Sequence, residues 1–231
     1  PGSGLGSSST LVVSMIKAYE MFFNFSLNEY ELADLAFEIE RIDCGLGGGF
    51  QDQYSAAFGG VNFIEFSKNR KSIVHRLRIK DSTLYELEES IILFFTGISR
   101  SSEKIINHQK SAIKDKDKLN ALHDVKKYAK KIKDSLLISD LESFFDYQKE
   151  SWAAKKATSK YISTDYIDDI NNELIKIGVK GIKISGAGGG GFMMVYVDPS
   201  HRLATSNFLK KYDGRVYNFH FTLEGAIAWK V

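Results

Sequence analysis

Three glycine-rich stretches constrain this chain more than any other feature. They are Pro1-Gly2-Ser3-Gly4-Leu5-Gly6-Ser7-Ser8-Ser9-Thr10, Gly45-Leu46-Gly47-Gly48-Gly49 and Gly186-Ala187-Gly188-Gly189-Gly190-Gly191. Each borders a strongly periodic segment, so each reads as a turn between elements rather than the inside of one. Behind the first, Leu11, Met15, Ala18 and Phe22 recur at helical spacing. Ser26 and Glu29 have the spacing of a capping box that starts a second helix, with Leu32, Leu35, Ala36 and Ile39 as its buried stripe. That helix must stop near Cys44, where the glycines begin.

The pattern then predicts a short helix over 53–58, strands over 61–66 and 72–79, and a fully buried strand over 90–96. From 100 to 177 it is helical in several pieces, one opening at Asp165 and closing at Gly178. Strands return over 182–185, 192–197 and 215–221, with a helix over 200–212. Helices and strands mixed in this order indicate an α+β chain, with a change of domain between residues 80 and 90.

Bulk properties exclude more than they assign. The 231 residues suffice for a buried core, and a net charge of +2 is too mild for a nucleic-acid partner. The basic run from Lys126 to Lys133 is interleaved with Tyr128, Ala129 and Ile132 and reads as the wet face of a helix. Cys44 is the only cysteine, which removes internal disulfides and fits a reducing, cytoplasmic setting. The longest apolar run, Ile91 to Phe95, is far short of a membrane span. The chain begins with proline inside a loop, which reads as a missing N-terminus.

Each glycine stretch has two readings. The first is either a linker or a phosphate cradle: glycines admit a ligand to the backbone, and a helix N-terminus behind them favours an anion. No lysine follows, so it is not a Walker A loop. Around the second, Glu40 and Asp52 are either solvated carboxylates or a metal ligand and a proton acceptor, with Asp43 a further candidate and Arg41 an ion-pair partner. Cys44 reads as a packed thiol rather than a nucleophile. The third stretch matches G-x-G-x-x-G, but a strand follows instead of a helix, which rules out a dinucleotide fold. It is either a tight hairpin or a backbone surface packed on another phosphate loop. The five histidines have no metal spacing, and no G-x-S-x-G elbow occurs.

The three stretches in this order resemble the GHMP kinases. That family has a phosphate-binding motif built on G-L-G-S-S after a proline, which Pro1, Gly4, Leu5, Gly6, Ser7 and Ser8 match. Its C-terminal G-A-G-x-G-G core is matched by residues 186–191. Its sugar kinases carry an acidic residue, a glycine tract and then Asp-Gln, as do Glu40, Gly45 and Asp52-Gln53. The run from Gly49 to Phe66, with Thr96-Gly97-Ile98-Ser99-Arg100, resembles the heptose 7-phosphate kinase branch.

The resemblance implies two α+β domains, an S5 domain 2-like one over 1–83, lacking its beginning, and a ferredoxin-like one over 84–231, with the site between them. It implies that Gly4, Leu5, Gly6, Ser7, Ser8 and Ser9 wrap the phosphates of ATP, and that Ser8 and Glu40 hold Mg²⁺. Asp52 would act on the sugar hydroxyl, while Gly186, Ala187, Gly188, Gly189 and Gly190 steady the phosphate loop. A sugar phosphate is the implied partner, with no nucleic acid and no membrane, and a homodimer is allowed. A basic residue that assists the aspartate in several relatives would lie in the missing segment. Arg100 and Lys183 are candidate phosphate partners or plain surface charges.

Overall fold

The computed structural model describes residues 3–67, 71–98, 102–112 and 114–230. Pro1, Gly2, Ser99 and Arg100, which belong to the motifs above, lie outside the described residues. The chain divides into two compact units. One comprises Leu5–Leu77 with Phe221–Val231, the other Gly2–Gly4 with Arg78–His220.

The first unit opens with α1 (Ser7–Phe23), which follows Gly6 in a left-handed conformation, φ 70°. No side chain caps this helix start, so its leading N–H groups and dipole face outward from the glycine turn. The helix forms where expected but turns the other face inward. Ser9, Val13, Ile16 and Glu20 are buried, whereas Leu11, Met15 and Phe22 are exposed. A second helix, α2 (Glu29–Phe37), starts two residues later than the Ser26–Glu29 spacing suggests. Asn28 is its cap: the side-chain oxygen accepts from the N–H groups of Tyr30 and Glu31, and Glu31 accepts in return from the Asn28 N–H. The register is pinned from outside, because the Leu27 N–H donates to Glu20 Oε1 at 2.8 Å. In the stripe, Leu32 and Ala36 are buried, but Ala33 takes the inward place and Leu35 is exposed.

The helix continues as one π-helical segment, Glu38–Asp43, a widening of the kind found at functional sites. Its one buried residue is Glu40. Next come α3 (Gln51–Phe58) and an antiparallel hairpin of β1 (Asn62–Phe66) and β2 (Ser72–Arg76), with Ile64 opposite Val74. Val13, Ile16, Leu32, Ala33, Ala36, Tyr54 and Ala57 form the core.

The C-terminal stretch belongs to this unit. Gly60 N–H donates to the Thr222 carbonyl, Ala226 N–H to the Ala56 carbonyl, and Arg76 to the Leu223 carbonyl. Gly59, at φ 58°, leaves room for it: a Cβ there would stand 2.1 Å from Glu224. The expected partition at 83/84 therefore differs from this division at both ends, since residues 78–83 go with the second unit and 221–230 with the first.

The second unit runs α4 (Asp81–Glu89), β3 (Ile91–Phe95), α5 (Ser102–Ala112), α6 (Lys116–Leu137), α7 (Leu141–Thr158), α8 (Asp165–Lys176), β4 (Gly181–Ile184), β5 (Phe192–Tyr196), α9 (Arg202–Leu209) and β6 (Arg215–Tyr217). The strands pair in the order β4-β5-β3-β6, all antiparallel. Strand, helices, two strands, helix, strand with this pairing is the ferredoxin-like arrangement. Helix α4 was not expected, and the last strand is shorter than predicted. Met193, Val195, Ile182 and Ile184 from the sheet pack on Ile167, Ile170 and Leu174 of α8, all at 1% exposure or less. Lys126, Lys127, Lys130 and Lys131 lie exposed on α6, as a wet helix face should.

Candidate functional site

In the first unit the predicted residues converge. Gly6 and Asp52 are in contact: a Cβ on Gly6 would stand 3.2 Å from the Asp52 side chain. That places a carboxylate against the uncapped start of α1. Two residues beyond Gly6, in the first turn of α1, Ser8 Oγ donates to Glu40 Oε1 at 2.6 Å, while Gln53 Nε2 donates to Glu40 Oε2 at 2.5 Å. Adjacent residues of α3 thus serve two jobs, Asp52 facing the glycine turn and Gln53 gripping the acidic side chain.

Glu40 is 1% exposed. Burial alone would push its carboxyl upward, at a cost of several kcal/mol for the ionised form. Hydrogen bonds from Ser8, Ser9 and Gln53, with the charge of Arg41, outweigh it and hold the pKa below the ordinary value. Each charge-assisted bond contributes about 1.5–3 kcal/mol, so three suffice to keep Glu40 ionised. Asp52 goes the other way. Burial raises it, Arg41 draws it down, and Glu40 pushes it up, with a net upward displacement. Two carboxylates in one small region are thereby set apart, one committed to its charge and one ready to take a proton.

Arg41 does more than the expected ion pairing. Its guanidinium is 3.9 Å from Glu40 Oε2 and lies under Gly48, where a Cβ would stand 2.4 Å from Cζ. Glycine at 48 is what lets the arginine fold back beneath the turn. Arg41 Nε and Gln53 Oε1 are both buried without a hydrogen-bond partner. The Ser8 hydroxyl and the Glu40 carboxylate offer oxygen ligands, and the buried Gln53 Oε1 stands unused beside them, a set that suits a hard cation such as Mg²⁺. No cluster of three or more His, Cys, Asp or Glu with metal-binding geometry occurs among the described residues, so any cation here would take its remaining ligands from phosphate or water. Asp43 is exposed, outside this network. Cys44 is exposed too, not packed as expected, because the π-helical segment ends at Asp43 and the chain turns away.

The second unit holds the other motif by backbone. The turn joins antiparallel β4 and β5, so it is a hairpin, and Gly4 packs against it. A Cβ on Gly4 would lie 2.6 Å from the Ser185 carbonyl, and one on Gly186 would lie 2.9 Å from Gly4 Cα. The Phe192 N–H donates to the Ser3 carbonyl at 3.0 Å. Gly189 N–H donates to Ile162 O and Gly191 N–H to Ile98 O, both at 2.7 Å. Lys155, which sequence reasoning did not single out, donates to the Gly186 carbonyl. Nothing in the periodicity marks it, since it lies among other lysines near the end of α7. Lys183 is on β4 with its amine 3.4 Å from Gln148 Oε1.

Comparison with known proteins adds to this geometry. Residues 1–60 match the family described as GHMP kinases N terminal domain, and residues 128–213 match GHMP kinases C terminal. The chain is 44% identical over its whole length to D-glycero-alpha-D-manno-heptose 7-phosphate kinase of Campylobacter jejuni, covering 68% of that protein. It superposes on a solved D-glycero-D-manno-heptose 1-phosphate kinase from Bacteroides thetaiotaomicron with a TM-score of 0.81 at 36% identity, covering all of this chain and 65% of that one. A bifunctional fucokinase/GDP-fucose pyrophosphorylase of Arabidopsis thaliana is 26% identical over 84% of the chain, which covers 19% of that protein. The chain thus spans about two thirds of the two heptose kinases.

Proposed function

The chain belongs to the GHMP kinases, and on that premise we propose that it carries most of an ATP- and Mg²⁺-dependent kinase acting on the anomeric hydroxyl of D-glycero-D-manno-heptose 7-phosphate. The product would be the 1,7-bisphosphate, a precursor for surface-polysaccharide heptose made in the cytoplasm. No helix among the described residues is long and apolar enough to cross a membrane.

One observation carries this reading: Ser8, Glu40 and Gln53 form one hydrogen-bonded set beside the contact of Gly6 with Asp52. Phosphoryl transfer demands positioning and charge neutralisation rather than covalent help. The glycine turn before α1, with Gly4, Leu5, Gly6, Ser7, Ser8 and Ser9, supplies backbone N–H groups and a helix dipole for the β- and γ-phosphates. Ser8 and Glu40 would hold Mg²⁺, which when bound neutralises phosphate charge. Asp52 would orient the acceptor hydroxyl and take its proton; its upward-displaced pKa improves it as an acceptor near neutral pH. Gly186, Ala187, Gly188, Gly189 and Gly190 would keep the turn at Gly4 in place.

The two heptose kinases to which the chain is similar bear names that differ in the position of the phosphate. The fucokinase likeness favours a second reading, a kinase for an unphosphorylated sugar. An ADP-release assay of the full-length protein separates these. Turnover is expected with heptose 7-phosphate in the presence of Mg²⁺, against background levels with heptose 1-phosphate, fucose and galactose. Equal turnover with fucose or galactose would exclude the heptose reading, and no ADP release with any sugar would exclude a kinase.

A further inference from the structure

Two lysines of the second unit have no counter-charge. Lys155 on α7 and Lys183 on β4 are each partly buried, and among the described residues neither lies within 4.0 Å of a carboxylate, although lysines such as Lys156, Lys176 and Lys180 do. What they touch is neutral. Lys155 donates to the Gly186 carbonyl and Lys183 to Gln148 Oε1. The Lys183 charge also bears on Lys155, which burial and that charge together bring down to about 8. Half-buried like charges without an anion are a costly arrangement in a free protein. A tether on the Gly186 carbonyl would account for one lysine, not for a second beside it.

A third donor lies on the same helix as Lys155. Gln148, Trp152 and Lys155 stand at i, i+4 and i+7 on α7, hence on one face. Trp152 is 4% exposed, and its Nε1–H is buried without an acceptor. Among the described residues, the hydrogen bonds of the two amines go to one amide oxygen and one peptide carbonyl, and the indole N–H on the same helix face has none. What is missing is a compact, acceptor-rich group of charge near −2. A phosphate monoester meets that description at neutral pH, while a carboxylate has half the charge and fewer oxygens.

We infer that Lys155 and Lys183 form an anion subsite at the Ser185–Gly191 turn whose occupant is a phosphate monoester. Resting on the kinase reading above, that occupant is the phosphate the acceptor already carries, so this pair makes the enzyme select a sugar phosphate over a free sugar. The alternative source of the same chemistry is the nucleotide.

The test uses the full-length protein as wild type, Lys155→Gln, Lys183→Gln and Lys183→Arg. Inorganic phosphate is titrated at neutral pH and low salt, read by calorimetry and thermal shift. Either Gln variant should lose about tenfold or more in phosphate affinity, the loss expected for one charge-assisted contact, and Lys183→Arg should keep most of it. The phosphate-free Gln variants should melt no lower than wild type, because removing one charge relieves repulsion; a purely structural lysine would lower the melting temperature instead. In kinetics, KM for the sugar phosphate should rise about tenfold or more while KM for ATP stays within about twofold. Unchanged phosphate affinity in both Gln variants overturns the subsite. A rise in KM for ATP alone overturns the acceptor as occupant. If the enzyme proves to use a free sugar, the sugar-phosphate reading falls, and phosphate titration still decides the subsite by itself.

Discussion

The two units hold their candidate residues by opposite means. In the first, side chains grip one another: Ser8 and Gln53 hold Glu40, and Arg41 folds under Gly48. In the second, the chain itself does the holding, with peptide groups of Gly189 and Gly191 bonded to Ile162 and Ile98, and Gly4 against Ser185. The contrast matches two tasks. Chemistry needs groups whose charge and proton affinity can be set, which only side chains provide. A template for phosphate needs a fixed shape, which glycine backbone gives because no Cβ intervenes. Substitutions in the side-chain set of the first unit should therefore change rate with little change in folding, and those in the glycine turn of the second should change folding first.

The largest effect expected is in the first unit. Asp52→Asn keeps shape and packing against Gly6 but removes the proposed proton acceptor. We expect kcat to fall by about 10²–10⁴, the usual worth of a general base, with ATP affinity and melting temperature nearly unchanged. Steady-state kinetics and ATP titration of the full-length protein check both halves. Near-normal turnover would show that Asp52 has no chemical role, and the contrast between units would lose its chemical side.

The reverse behaviour is expected at Gly188. It adopts φ 108°, and a Cβ would stand 2.7 Å from the Ile162 carbonyl. Gly188→Ala meets backbone rather than a movable side chain, so relief requires the turn to shift. A strained site of this kind costs about 1–3 kcal/mol, which for a domain of this size lowers the melting temperature by roughly 2–4 °C per kcal/mol. Calorimetry measures it. An alanine variant as stable as wild type would mean that the turn is not held by its backbone.

The same division explains what was legible in the sequence. Glycine turns announce themselves because only glycine tolerates their conformations, and the strand after Gly191 was readable from Phe192 to Tyr196, so a strand–turn–strand unit could be foreseen, while the ferredoxin-like order came only from the family resemblance. Quantities decided by distant partners could not. Periodicity placed α1 correctly but chose the wrong face, since Leu11 and Met15 are more apolar than the buried Ser9 and Glu20; Glu20 goes inside because the Leu27 N–H and the Lys17 amine satisfy it. The cap moved from Ser26 to Asn28 for the same reason. Helix α4 is short and polar, with three glutamates in nine residues, and gives little apolar signal. The return of residues 221–230 depends on carbonyls that meet Gly60 and Arg76, which no local pattern encodes. For the candidate site, spacing suggested Glu40 and Asp52 but could not separate them from Asp43, because the π-helical widening that buries Glu40 alone is a tertiary outcome.

That separation leads to the smallest effect. Asp43 ends the π-helical segment, three residues beyond Glu40 and exposed. An ordinary α-helical turn would put residues i and i+3 on one face, so without the widening Asp43 and Glu40 would point the same way and compete for the same role. With it, Glu40 turns inward to Ser8 and Gln53 while Asp43 stays in water. Asp43→Asn removes one solvated charge and no contact that Glu40 or Asp52 depends on. Surface changes of this sort stay within about 0.5 kcal/mol, so kcat/KM should remain within about threefold of wild type. A loss of tenfold or more would place Asp43 in the working set, and the first unit would then act through a general acidic turn rather than through the pair of carboxylates whose proton affinities its side chains drive apart.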